Sequence, residues 1–538
     1  MENNIKKKDN NITHYARFIP WLIVIAFIIR LVELGSKSFF VDEGVTIYTS
    51  SYPLGKILPL MMKMGEVHPP LYFWCIHLWK AGYGTFQFLS LEAYMRLSSV
   101  IFGVLSVYFT WLLGKKLFTR QTAFTATFLI TISTFHVFYS QELRMYAPLL
   151  FLFCLSLYLF LKLLEKPGYL ICSLLVVSQA LAFHIHYFGL FIPAIEIMFL
   201  GYLFLLNHFK KNKEDKRNIN EGELCVTFQK LVQDLSLLMN RLKWVLASLG
   251  LSLMIFSWWV PFLLKQTGHQ DLGLRKNPDL LMILELFSRL SYGEQVTQPE
   301  FFGINLFLLL SIIPIALVIY TLFLKPLAGQ FLIILWLFTP LTIILIAGLT
   351  HFHMFEYMYF YIVTPALWLL ISSGLSKMKM KYVASLLLIL IMVMNMFTFN
   401  NYQNSSYYQP QNWRRVAEYV SDKLEPGEMV IIHPSMMAMP FSVYFKNNRR
   451  IMPMDKPDLN RLKPQMYGSR GIWVVSTLNH PAVTKYKLLH FLSSYYKPSK
   501  AYITSSYNPA DILVAIYFDF TRQDKNKQNR TIKQQFHN

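Results

Sequence analysis

The feature that most constrains this chain is the recurrence of apolar runs about 17–25 residues long. A helix needs about 20 such residues to cross the ~30 Å hydrocarbon core of a bilayer. About eleven runs are legible, near 17–34, 94–114, 121–139, 145–164, 169–185, 187–208, 244–264, 301–324, 330–350, 356–375 and 382–399. The first has no small-residue cleavage site and others follow it, so it reads as a span and not as a cleaved signal. Composition agrees: 54% of residues are hydrophobic and 15% are charged, against about 25% charged in soluble proteins. That balance excludes disorder, collagen, a disulfide scaffold and a soluble cytosolic enzyme. The four cysteines, Cys75, Cys154, Cys172 and Cys225, show no CxxC or zinc spacing. The expected class is a mainly α, polytopic membrane protein.

The formal net charge of +21 sorts by position. Lys6, Lys7 and Lys8 precede the first run, and Lys115, Lys116 and Arg120 separate the second from the third. Lys162 and Lys166 follow the fourth. The 209–243 loop holds Lys210, Lys211, Lys213, Lys216 and Arg217. Lys325 follows the eighth run, and Lys377, Lys379 and Lys381 follow the tenth. These loops alternate as cytoplasmic loops should. The opposite face then holds 35–93, the turns near 140–145 and 185–187, the 265–300 loop and everything after residue 400. The charge is read as topology and anionic-lipid contact, with no nucleic-acid partner.

The C-terminal region is different material. Trp413–Leu424 has helical spacing, Glu425-Pro426-Gly427-Glu428 is a turn, and Met429–Ile432, Gly471–Val475 and Ile512–Tyr517 read as strands, with a helix over 481–495. Alternating strands and helices predict a small soluble α/β domain. The stretch from residue 400 to 538 carries 19 Lys+Arg and 9 Asp+Glu, so +10 of the +21. The expected organisation is a membrane domain over 1–399 with a large outer loop at 35–93, an extracytoplasmic α/β domain over 400–520, and a polar tail over 521–538.

Chemistry concentrates on the expected outer face. Asp42 and Glu43 are adjacent carboxylates just past the first run. Such a pair suits general-base work or a divalent cation, and equally a solvated helix start. His68 before Pro69-Pro70 marks a helix entry. In Tyr139-Ser140-Gln141-Glu142-Leu143-Arg144-Met145-Tyr146, a helix would put Glu142 and Tyr146 on one face. Arg144 offers a planar fork suited to phosphate. Arg30 and Glu33 have pairing distance along a helix, and Arg96 suits a lipid phosphate or snorkelling. Glu196 is an acid well inside a span, which flags function or a bond to a neighbouring helix. His184/His186 and His351/His353 are H-x-H pairs whose members diverge on a helix, so each reads as interfacial and not as a metal pair.

Taken together, Asp42-Glu43, His68-Pro69-Pro70-Leu71-Tyr72, Arg96-Leu97-Ser98-Ser99 and Ser140–Tyr146 resemble the GT-C superfamily of membrane glycosyltransferases. More narrowly they resemble glycosyltransferase family 39, the dolichyl-phosphate-mannose protein mannosyltransferases, and the bacterial aminoarabinose transferases. The resemblance covers about the first 150 residues. It implies a GT-C-like fold and inverting transfer of a sugar from a polyprenyl-phosphate carrier to an acceptor on protein, lipid or cell-wall glycan. It makes Asp42 the general base with Glu43 beside it, and implies substrate-binding roles for His68, Tyr72, Arg96, Glu142, Arg144 and Tyr146. No nucleotide-sugar loop is present, and the acid pair leaves a divalent cation as the one open cofactor. One departure stands out. Relatives carry Arg-Tyr before a late Pro-Ala-Leu, whereas this chain has Glu356-Tyr357-Met358-Tyr359 before Pro365-Ala366-Leu367. A cation from the 265–300 loop, such as Arg275, is the expected substitute.

Two other classes fit parts of the pattern. A transporter or flippase of a lipid-linked sugar would show internal repeats and midplane polar sites, and neither a repeat nor more than Glu196 is visible. A membrane-anchored binding factor would work through the α/β region, which carries no catalytic constellation.

Overall fold

The computed structural model describes residues 15–210, 223–267, 278–293, 300–301, 304–324, 328–350, 355–404, 411–455, 470–477, 488–495, 498–504 and 512–519. Lys6–Lys8, Lys211, Lys213, Lys216, Arg217, Arg275, Lys325, His351, His353, the tail from Phe520 and the 481–487 half of the expected helix lie outside the described residues.

Among the described residues, eight helices are long and apolar enough to cross a membrane: Leu91–Leu117, Tyr146–Glu165, Tyr187–Phe209, Leu235–Lys265, Leu306–Phe323, Ala328–Leu349, Tyr357–Lys377 and Lys381–Asn404. Arg120–Ile132 and Thr134–Ser140, which meet at a bend of 59°, make a ninth if the pair is taken as one broken span. The remaining two expected runs are shorter helices, Ile19–Leu31 and Tyr169–Ile185, of 13 and 17 residues. At 1.5 Å per residue both fall short of a perpendicular ~30 Å crossing. The expected eleven spans are therefore eight, or nine with the bent pair, plus two shorter apolar helices. The chain is a multi-pass membrane protein.

The chain divides into two compact units. The first comprises residues 1–34, 55–75 and 95–403. Within it Tyr146–Glu165 packs on Tyr169–Ile185, which packs on Leu235–Phe256. Thr364–Lys377 packs on Arg120–Ile132, Ile312–Phe323 and Ala328–Leu349. Nearly every residue of Thr364–Lys377 is buried, as expected of a helix apolar all round. Several polar groups in this interior bond to neighbouring helices, although Glu196 Oε1 is buried with no hydrogen-bond partner among the described residues. Gln179 Nε2 donates to Glu196 at 2.8 Å, and Ser252 Oγ donates to Gln179 at 3.1 Å. That favours a structural reading of Glu196. Arg30 does not pair with Glu33. Its guanidinium turns inward to the bent span.

The second unit comprises residues 35–54, 76–94 and 404–538. Its five-stranded sheet has the spatial order Ile451–Pro453, Met429–His433, Gly471–Thr477, Leu513–Asp519, Pro498–Ile503. The first three strands run parallel, and Leu513–Asp519 is antiparallel to both of its neighbours. Two of these strands escape sequence reading for physical reasons. Ile451–Pro453 has three residues, and the edge strand Pro498–Ile503 is exposed along almost its whole length, so it shows no apolar alternation. The helix Trp413–Lys423 buries Trp413, Val416, Ala417 and Val420 on one face of the sheet, starting at Asn412, whose side chain accepts from the Arg415 N–H. Val41, from the 35–93 stretch, belongs to this same core, and Val45 packs against it. The unit therefore takes in two stretches of the 35–93 loop as well as the C-terminal region.

Candidate functional site

In the first unit, the site grows from the end of the helix Leu54–Met64. Gly65 adopts φ +69°, its N–H bonds the Met62 carbonyl, and the Glu66 N–H bonds the Met61 carbonyl. This double closure is a Schellman motif, for which glycine has the least strain. It turns the chain sharply and delivers Glu66. The Glu66 carboxylate then accepts from the backbone N–H groups of Val67 (3.0 Å) and His68 (3.2 Å) and from His68 Nδ1 (2.5 Å). A carboxylate cannot donate, so Nδ1 carries the proton and Nε2 is left for other chemistry. Pro70 supplies the first carbonyl of the helix Leu71–Ala81, accepting from the Trp74 N–H. The pair is only 14% and 13% exposed. Burial would raise the Glu66 carboxyl, but His68, with Arg144 assisting, outweighs it and holds Glu66 down at about 2.

Beside His68 stands His186, with ring centroids 5.2 Å apart. His186 caps the turn after Tyr169–Ile185, its Nδ1 accepting from the Phe188 N–H at 3.1 Å. Its proton therefore sits on Nε2. Burial, followed by the charges of His68 and Arg144, pushes its pKa well below the ordinary imidazole value. The Tyr146 ring lies 6.4 Å from His186, and the Arg144 guanidinium lies 5.9 Å from the Tyr146 centroid. Tyr359 completes this face, 6.3 Å from His186.

The segment that carries Glu142 and Arg144 corrects an expectation. Residues 141–145 are not helical, so the i,i+4 argument for Glu142 and Tyr146 does not hold. The Arg144 N–H bonds the Glu142 carbonyl at 2.8 Å, a tight turn before the helix that starts at Tyr146. The break lets Arg144 reach Glu66 and His186 electrostatically. Tyr146 donates to the Met358 sulfur at 2.7 Å. Arg96 is buried and donates to the Leu34 carbonyl at 3.0 Å, fastening the end of the first apolar helix. Tyr72 is buried edge-on to Phe73, ring centroids 5.9 Å apart.

In the second unit, Asp42 and Glu43 open the helix Val41–Ser50. Glu43 is fully buried and accepts from the Phe40 N–H at 3.2 Å, so one of the acids caps its own helix. Asp42 is half-buried. The helix lies against Ala438–Tyr444, with Gly44 at the crossing: a Cβ there would stand 2.5 Å from Pro440 Cα. Gln411 accepts from the Val41 N–H at 3.0 Å, and Tyr444 from the Phe39 N–H at 2.8 Å. Glu92 is held by Arg414 and Tyr444.

Among the described residues, no group of three or more His, Cys, Asp and Glu is disposed to hold a metal ion. Two site residues escaped the sequence reading. Glu66 stands outside the motifs of the sequence reading, and His186 reads there only as interfacial. A carboxylate two residues before a histidine was the available signal for Glu66. Nothing local signals His186, because its partner is 118 positions away in sequence. Arg275 lies outside the described residues, but the same 265–300 stretch forms a helix, Leu280–Tyr292, that was not anticipated. Its Arg289 sits 4.2 Å from the ring centroid of Tyr357, whose hydroxyl donates to Glu285 at 2.6 Å.

Residues 67–216 match the family described as dolichyl-phosphate-mannose-protein mannosyltransferase. No curated protein matches the chain by sequence. Crystal structures of ArnT from Cupriavidus metallidurans resemble the chain at 12% identity, covering 93% of this chain and 98% of that one. Their TM-scores are 0.55 with undecaprenyl phosphate bound and 0.56 in the apo state. The archaeal oligosaccharyltransferase AglB from Archaeoglobus fulgidus gives 12% identity, 90% and 73% coverage and a TM-score of 0.49. Residues 67–216 thus carry the sequence pattern of the dolichyl-phosphate-mannose-protein mannosyltransferases, and the chain has a GT-C-like fold.

Proposed function

We propose that this chain is a membrane glycosyltransferase. It moves a hexosyl or pentosyl unit from a polyprenyl-phosphate carrier to an acceptor hydroxyl on the extracytoplasmic face, with inversion. The observation that carries the reading is the near full-length likeness to ArnT, one structure of which holds undecaprenyl phosphate. In this reading the acceptor oxygen attacks the anomeric carbon, the bond from that carbon to the phosphate oxygen breaks, and the acceptor proton passes to Asp42. Glu43 holds the helix that presents Asp42. Arg144 and Arg96 are the cations for the departing phosphate, with Arg289 in place of the arginine that the late-span motif lacks. His68, oriented by Glu66, and Tyr72, Glu142 and Tyr146 bind sugar or carrier. The N-terminus is cytoplasmic, residues 1–399 form the membrane domain, residues 400–520 are extracytoplasmic, and 521–538 form a polar tail. The acceptor is a hydroxyl of protein, lipid or cell-wall glycan, and the membrane is the plasma membrane.

The test is Asp42→Asn in the native host, with membrane lipids and glycans analysed by mass spectrometry. The expected outcome is accumulated polyprenyl-phosphate sugar and loss of one envelope decoration, with protein level unchanged. Removing a general base typically costs about 10²–10⁴-fold in rate. Wild-type decoration in a normally inserted Asp42→Asn strain overturns the base assignment.

A further inference from the structure

The bend between Arg120–Ile132 and Thr134–Ser140 is held by a buried arginine from another helix, with a complete set of partners. Arg30 lies on the helix Ile19–Leu31 and is fully buried. A guanidinium has five N–H donors, and all five are engaged. Nε donates to Ser140 Oγ at 3.3 Å. Nη1 donates to the Ala26 carbonyl at 2.9 Å and the Thr131 carbonyl at 3.2 Å. Nη2 donates to the Ile130 carbonyl at 3.3 Å and to His136 Nδ1 at 2.7 Å. No carboxylate is among these partners.

The positions of those acceptors give the arginine a purpose. Ile130 and Thr131 end the helix Arg120–Ile132, where the 59° break leaves carbonyls without a partner one turn on. A cation at a helix C-terminus also meets the negative end of its dipole. His136 and Ser140 lie on the other arm, Thr134–Ser140. One side chain thus joins both arms of the bend. Because His136 Nδ1 accepts from Arg30, its proton is on Nε2, which faces Ser106 Oγ at 2.9 Å. Ser106 in turn donates to the Gly103 carbonyl at 2.7 Å. Ser140 Oγ donates to the His136 carbonyl at 2.6 Å and lies 3.1 Å from the Tyr361 hydroxyl. Gly103 lets this arm come close, since a Cβ there would stand 2.7 Å from Ser140 Cβ.

Both ends of the short arm are fastened. At its start, the Thr134 N–H and hydroxyl bond Asn395 at 3.0 and 2.8 Å. Just past its end, Gln141 Nε2 donates to the Arg30 and Val32 carbonyls at 3.0 and 2.8 Å. The residues that follow directly are Glu142, Arg144 and Tyr146.

We propose that Arg30 is a positioning residue: it holds the bend of this span so that the 141–146 turn presents Glu142, Arg144 and Tyr146 in one fixed geometry. Its effect on rate rests on the glycosyl-transfer reading, whereas its effect on the turn does not. The test uses the full chain in lipid nanodiscs, with native cysteines replaced by alanine and a nitroxide on Glu142→Cys to report mobility of the turn. Transfer kinetics are measured in parallel without the label. Arg30→Met is expected to mobilise the label and to lower kcat about 100-fold, the scale of a misplacement of about 1 Å, with acceptor KM changed less than threefold. Arg30→Lys keeps the charge but not the fork and recovers only part of both. Gly103→Ala, which crowds Ser140 with Arg30 intact, and Tyr361→Phe give the same signs and carry the test if Arg30→Met fails to insert. A label as immobile as wild type in these variants overturns the proposal, as does a mobilised label with unchanged kcat. If the wild-type protein transfers no sugar, the functional reading fails while the label still decides whether Arg30 holds the turn.

Discussion

At the scale of residues, the first unit converts an acid, two histidines and an arginine into a cluster with assigned protons. Glu66 accepts a hydrogen bond from His68 Nδ1–H, and the Phe188 N–H fixes the opposite tautomer in His186. The His186 pKa is depressed by burial and nearby cations, so its stabilising contribution is complete above the ordinary value of 6.5 and is lost as pH falls below it. Up to about 1.4 kcal/mol per pH unit is at stake while the unfolded site is charged and the folded one neutral. Glu66, held at about 2, stays ionised through that window and does not carry the loss. The Tm of the full chain in nanodiscs is therefore expected to fall between pH 6.5 and 5, and His186→Asn should flatten that fall. An unchanged slope in the variant contradicts the assignment. Part of this cluster was legible: His68 and Arg144 stand in short motifs. Glu66 and His186 were not, because their roles depend on a tautomer and on a partner distant in sequence.

At the scale of elements, apolar length was a reliable guide to helices and a poor one to their ends and breaks. The run at 121–139 is continuous in hydropathy, yet it bends at Ser133, where the buried Arg30 joins the two arms and Asn395 holds the start of the second. The helix Leu280–Tyr292 was missed because it is amphipathic and short, and it begins after a capping Asp279 in a stretch read as loop. The helix Val41–Ser50 illustrates how a small residue sets an element's place. Gly44→Ala would press a methyl onto the Pro440 backbone, and overpacking of this kind costs about 1–3 kcal/mol. Amide hydrogen exchange over Val41–Ser50 is expected to speed up in that variant, with the helices of the first unit unaffected. Unchanged protection of 41–50 would show that the crossing tolerates the methyl.

At the scale of the whole molecule, the surplus of basic residues divides between loops flanking the apolar helices and the C-terminal region. In the proposed reading, the scarce acids Asp42, Glu43 and Glu142 are the groups that carry the chemistry. The polytopic helical class followed from hydropathy and the GT-C-like fold from the motif resemblance, whereas the grouping of 35–54 and 76–94 with the C-terminal sheet followed from neither. That grouping depends on Val41 entering, and Val45 packing against, a core built by Trp413 and Trp473, and no periodicity announces it. The central claim is that this fold transfers sugar from a polyprenyl-phosphate donor, and purified protein addresses it most directly. The full chain in nanodiscs is incubated with a radiolabelled polyprenyl-phosphate sugar and a membrane extract of acceptors, and the label is followed. The account predicts time-dependent movement of label into acceptor with release of polyprenyl phosphate, inverted anomeric configuration in the product, and loss of at least 100-fold in Asp42→Asn. Movement of intact labelled carrier across the bilayer, with no label on any acceptor, would contradict it.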